Sequence, residues 1–295
     1  MPDTHRPAAA ALWMTGSIVS FTAMAVAGRE IAGGHDTFEI MAARSAIGLV
    51  VVLAAGAMTG QLGRISRARL GGHVLRNLFH FTGQNLWFLA LGLLPLAQVI
   101  ALEFTSPLWV VLLAPLILKE RLTAARLFAA GLGFAGILIV ARPDPGALNL
   151  GVLAAAGAAL FFATSIILTK RLTRGEAMIG ILFWMTVIQL ILGVAAALAD
   201  GAVRLPTAQT LPWLALVGVA GVVAHLCLTT ALSLAPASLV VPVDFLRLPL
   251  IAVVGAWFYA EPLSLPVFLG GGIILAAIWL NQRTASQPAV GPSAT

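Results

Sequence analysis

Few residues in this chain can do chemistry, and most of those lie inside apolar runs. Over 71–92 an arginine, a histidine, a glutamine and a tryptophan (Arg76, His80, Gln84 and Trp87) recur at intervals of three or four. A helix turns about 100° per residue, which gathers these four within an arc of roughly 80°, with Asn77 at its edge and Asn85 on the other side. A cation, an imidazole, an amide and an indole on one face are suited to line a cavity for a polar solute. The competing reading is that Arg76, about one and a half turns from the helix end, snorkels to the lipid headgroups.

A pair of acids forms the second group. Glu103 and Asp244 each sit near the middle of an apolar run interrupted by proline. Pro107 removes the helical partner of the Glu103 carbonyl, Pro249 that of Phe245, and Pro242 that of Ser238. Broken helices at matching positions point to a transport site, where the acids would bind substrate or a coupling proton. The plainer alternative is that the kinks serve packing and Asp244 only neutralises Arg247, about one turn away; Glu103 has no such neighbour on its own helix.

Arg44 either touches substrate or pairs with Glu39 or another helix. His225 either faces the cavity of Gln84, with which it aligns below, or is a packing histidine. Glu120 and Glu261 read as helix caps or hinge contacts, and Cys227, the single cysteine, as packing. Lys119 and Lys170 are the only lysines and neither follows a glycine, so there is no P-loop. HExxH and CxxC motifs are absent and no GxSxG sits in a strand-to-helix context, so no metal, cofactor or hydrolytic centre is expected.

The elements that position these residues are transmembrane helices. Of the residues, 60% are hydrophobic and 9% charged. A soluble fold of that composition would expose large apolar patches, so lipid must be the solvent. About ten apolar stretches of roughly 20 residues each follow one another, each long enough to span a bilayer. They cover about 8–27, 38–60, 71–92, 95–117, 122–140, 150–169, 177–199, 211–233, 236–258 and 264–281. The first resembles a signal peptide, but its length and its counterpart later in the chain make a retained helix the expectation.

The net charge of +6 does not imply nucleic acid, because the cations fall in alternate short loops. Arg6, Arg64, Arg67, Arg69, Lys119, Arg121, Arg126, Lys170, Arg171, Arg174 and Arg283 share one face. Arg29, Arg142 and Arg204 share the other. Positive charge stays inside, so both termini are expected in the cytoplasm and the protein in the cell inner membrane.

The chain also repeats itself. Shifted by 141 residues, Leu91, Leu93, Pro95 and Val99 fall on Leu232, Leu234, Pro236 and Val240, and Glu103-Phe104 falls on Asp244-Phe245. Glu120, Leu122 and Gly131 fall on Glu261, Leu263 and Gly272, and Phe21 and Arg29 on Phe162 and Lys170. Five helices per repeat would insert the second half upside down, and the cations flanking Glu120 have vanished around Glu261, as an outward loop requires. The expected fold is therefore an all-α integral membrane protein, with ten transmembrane helices as two inverted five-helix repeats. Residues 1–7 form a cytoplasmic N-terminus, 8–142 and 148–283 the repeats, and 284–295 a disordered cytoplasmic tail.

Three segments resemble the drug/metabolite transporter superfamily, EamA type. They are FEIMAARSAIGLV (38–50), PLAQVIALEFTSPLWVVLLAPLILKERL (95–122) and LVVPVDFLRLPLIAVVGAWFYAEPLS (239–264). The last is similar to a branch that carries S-adenosylmethionine, riboflavin or opine-type metallophores. The resemblance implies ten helices, a central cavity and no ATP. The second half departs from it in placing Met185 where the first has Arg44.

The expected function is secondary transport of a small-molecule substrate by alternating access. Arg44, Arg76 and Arg247 against Glu103 and Asp244 leave one net positive charge in the membrane, which favours a carboxylate-bearing or zwitterionic metabolite. Export of an amino-acid-derived, opine-type metallophore is the leading expectation, and uptake of riboflavin or S-adenosylmethionine the alternative. A membrane enzyme or non-transporting partner is the remote one. The expected partners are the substrate and the lipid bilayer, with a homodimer left open.

Overall fold

A computed structural model describes residues 6–118, 123–141, 149–201, 204–260 and 265–285. Every regular element among them is helical. The helices are α1 (Pro7–Ile31), α2 (Thr37–Met58), α3 (Leu70–Leu93), α4 (Leu96–Glu103), α5 (Ser106–Leu118) and α6 (Ala124–Ala141). They continue with α7 (Leu150–Leu172), α8 (Met178–Asp200), α9 (Leu211–Leu234), α10 (Ala237–Val240), α11 (Arg247–Tyr259) and α12 (Leu265–Ala285). Helices α1, α2, α7, α8 and α9 are long and apolar enough to cross a bilayer. The Lys119–Leu122 and Glu261–Ser264 junctions, Arg142 and the tail from 286 lie outside the described residues. Helix α12 continues through 284 and 285, which the sequence alone assigned to the tail.

Local chemistry sets the ends. Proline at N1 starts α1 without wasting a donor. Asp36 caps α2 by accepting from the N–H groups of Phe38 and Glu39, while Glu39 reaches back to the Asp36 N–H. The run 95–117 is two helices, not one: α4 stops at Glu103, and α5 starts at Ser106, with Pro107 in its first turn. The run 236–258 breaks further. Between α10 and α11 the chain tightens into a 3-10 turn, Val241–Leu246, that contains Asp244.

The boundaries repeat. Displaced by 141 residues (70 to 211, 106 to 247), α3 becomes α9 and α5 becomes α11, residue for residue. Packing follows the same exchange. Helix α1 lies on α9 as α3 lies on α7, while α2 faces α8 and α6 faces α12. Glycines allow the close approaches: a Cβ on Gly193 of α8 would come within 2.9 Å of the Ala42 backbone nitrogen on α2. Apolar side chains of α1, α3, α4, α7, α9 and α11 fill the interior around the polar residues.

Candidate functional site

Helix α3 supplies one wall of a central cavity. Arg76, His80, Gln84 and Trp87 all line it, as their shared face demands, and all four are buried. Arg76 does not snorkel. It is 3% exposed, with Nε donating to Thr169 Oγ1 at 3.0 Å and Nη1 to Asn77 Oδ1 at 3.0 Å. The opposite wall comes from α1, α7 and α9, through Phe21, Phe162 and His225 among others. His225 does face the cavity: its ring meets His80 edge-on at 4.7 Å and Phe21 at 5.5 Å.

The two chain breaks close the far end. Arg247 Nη2 donates to Glu103 Oε1 at 2.5 Å and to Asp244 Oδ2 at 2.8 Å, so two carboxylates share one guanidinium. Trp87 Nε1 donates to the other Glu103 oxygen at 2.6 Å. Phe21 and Phe104 rings lie 5.2 and 5.0 Å from the guanidinium carbon, the reach of a cation–π contact. Asp244 therefore does neutralise Arg247, but Glu103 does so as well, from the other half of the chain.

Asn77 and Arg44 stand behind the wall and outside the lining set. Arg44 ignores Glu39 and donates from Nη1 to Gln189 Oε1 at 2.9 Å; Gln189 Nε2 donates to Asn77 Oδ1 at 3.0 Å. A polar chain thus runs Arg44–Gln189–Asn77–Arg76–Thr169 across α2, α8, α3 and α7. Gly221 of α9 makes room for the Arg44 guanidinium; a Cβ there would lie 2.7 Å from Nε. Glu39 instead joins His35 and the Arg204 backbone N–H at the end of the bundle.

Gln189, Thr169 and Ser165 escaped the sequence reading, although each is a polar residue in an apolar run, and that alone is a signal. Trp109 is 40% exposed and is not part of the cavity lining. The cavity is tight, at about 50 Å³, which is room for only a few waters. A metabolite would need the walls to part.

Residues 8–142 and 149–282 each match the EamA-like transporter family. The chain belongs to that family. Among similar proteins, a riboflavin transporter of Vibrio cholerae is 30% identical over 94% of both chains. One of Rhizobium johnstonii is 34% identical over 70% of this chain and 68% of the other. An S-adenosylmethionine uptake transporter of Rickettsia bellii is 26% identical over 90% of each. A crystal structure covering 95% of this chain and 99% of its own superposes with a TM-score of 0.78 at 19% identity, which shows a shared fold and nothing more. The chain is thus a small-molecule transporter of the EamA type.

Proposed function

We propose that this EamA protein takes up a small heteroaromatic metabolite of the riboflavin class by alternating access, using the central cavity as its site. The observation that carries this reading is the cavity wall: Trp87, Phe21 and Phe162 offer aromatic surface. Beside them Gln84 Nε2, His80 Nε2 and both ring nitrogens of His225 are buried without a partner among the described residues. Flat rings edged by carbonyls and ring nitrogens suit such a wall, since unpaired buried donors and acceptors cost about 1–3 kcal/mol each until a ligand meets them. The names of the relatives support uptake of riboflavin or S-adenosylmethionine over export of an opine-type metallophore.

The architecture that goes with this reading is ten membrane crossings, counting α4 with α5 and α10 with α11 as one broken crossing each. The two halves, 8–142 and 148–283, would be inverted about an axis in the membrane plane, with both termini in the cytoplasm. The 141-residue register of the helices and the exchange-symmetric packing support it. In this reading the protein works as a carrier, which its membership of a transporter family supports.

Growth tests the substrate. A riboflavin auxotroph expressing this chain should grow at external riboflavin levels too low for the parent strain. Failure to rescue, with the protein present in the membrane and labelled S-adenosylmethionine entering the same cells, would move the assignment to the second substrate.

A further inference from the structure

The charges of the cavity are separated, not scattered. At the chain breaks two carboxylates face one guanidinium, one net negative charge, with Asp244 Oδ1 left without a partner among the described residues. At the Arg76 end the sign is opposite. Arg76 and Arg44 are 3% and 4% exposed, and neither meets a carboxylate within salt-bridge distance among the described residues. Their neighbours are neutral amides and a hydroxyl: Asn77, Gln189 and Thr169. Arg44 Nε and Nη2 are buried without a partner among the described residues.

A buried guanidinium without a counter-ion is strongly unfavourable, and two in one region repel each other besides. The polar chain holds both in place and satisfies some donors, but an amide oxygen carries no charge. An anion would complete this end better than a neutral group. His80 and Gln84, one and two turns along α3 from Arg76, bring nitrogens without partners among the described residues to the same wall.

We infer that the Arg76 end of the cavity is a subsite that prefers an anionic group, a carboxylate or a phosphate, where the solute carries one, with Arg44 reinforcing it from behind through Gln189 and Asn77. Arg76 is the residue that touches the anion. Arg44 is a positioning residue. Trp87, bonded to Glu103, stands eleven residues beyond Arg76, so the two ends lie about 16 Å apart along α3. An elongated solute with its anion at Arg76 and a neutral or cationic end at Glu103 and Asp244 fits this layout. This rests on the cavity being the transport site and narrows the substrate class.

The test uses two pairs of solutes that differ only by the anionic group: riboflavin 5′-phosphate against riboflavin, and S-adenosylmethionine against its decarboxylated form. Binding to the detergent-solubilised full chain is read by thermal stabilisation. In wild type the anionic member of at least one pair should bind about tenfold or more tightly than its counterpart. Arg76→Gln should reduce that ratio to near one, and Arg76→Lys, which keeps charge but loses the fork, should leave an intermediate ratio. Discrimination in the second pair alone would remove riboflavin as the substrate class and keep the subsite. Equal binding within both pairs in wild type overturns the subsite, and so does a ratio that survives Arg76→Gln. The wild-type comparison stands even where the Gln variant does not fold.

Discussion

Arg247 and Glu103, 144 residues apart in the chain, meet at 2.5 Å where the two broken segments face each other. One partner comes from the first half and one from the second, so the contact ties the halves together at the cavity. It is also buried on both sides, at 3% and 9% side-chain exposure. That burial sets its energetics. Removing one member leaves a charge stranded, whereas removing the set leaves little to stabilise.

Arg247→Met strands Glu103 and Asp244 together and should cost about 3–5 kcal/mol, lowering membrane abundance and melting temperature. Adding Glu103→Gln and Asp244→Asn should restore most of the melting temperature but not the flux. A triple variant as unstable as the single one would show that the guanidinium matters for its packing on Phe21 and Phe104 instead.

The glycines give a prediction that separates packing from chemistry. Gly221→Ala places a Cβ 2.7 Å from Arg44 Nε, and Gly193→Ala places one 2.9 Å from the Ala42 backbone nitrogen. The arginine can be pushed aside; the backbone cannot. Gly193→Ala should therefore lower the melting temperature more, and Gly221→Ala should chiefly weaken solute binding by displacing Arg44 from Gln189. Gly131, with nothing within 4 Å of the added Cβ, is the control. Its alanine variant should be neutral or stabilising by up to about 1 kcal/mol.

Two cationic side chains close helix ends in the same way in both halves. Arg29 Nη1 donates to the Leu94 carbonyl at 2.9 Å, and Lys170 Nζ donates to the Ala235 carbonyl at 2.8 Å, each pair displaced from the other by 141 residues (29 to 170, 94 to 235). Arg29→Met and Lys170→Met should each destabilise by about 1.5–3 kcal/mol, the range of a charge-assisted hydrogen bond. Thermal melts that show one cap indispensable and the other without effect would contradict an equivalent role.

Topology is open to labelling. With Cys227 replaced by alanine, single cysteines at 61–69 and 173–176 should react only from the cytoplasmic side, and those at 204–208 only from outside. Opposite sides for 61–69 and 173–176 would rule out the inverted arrangement.

The α3 stripe was legible because helical period and residue type alone place Arg76, His80, Gln84 and Trp87 on one face, whatever packs against them. The partnering was not. Asp244 and Arg247 lie one turn apart and could be paired on paper, but the Glu103 contact joins two halves whose relative placement no local rule supplies. Arg44 shows the same limit: Glu39 was its nearest acid in sequence, yet the guanidinium turns towards Gln189 on α8, under Gly221 of α9. The break in 236–258 was readable from its prolines, though not the 3-10 geometry that carries Asp244 to the guanidinium.

In the function proposed above, this cavity carries a small metabolite of the flavin type across the membrane. Uptake of labelled riboflavin by proteoliposomes tests it most directly, with wild type beside Trp87→Ala at equal incorporation. Trp87 lines the cavity and makes a 2.6 Å hydrogen bond to Glu103. Wild type should show saturable uptake, reduced by about tenfold or more in the variant. Wild-type flux no greater than that of protein-free vesicles would contradict it, as would saturable uptake that is indifferent to Trp87.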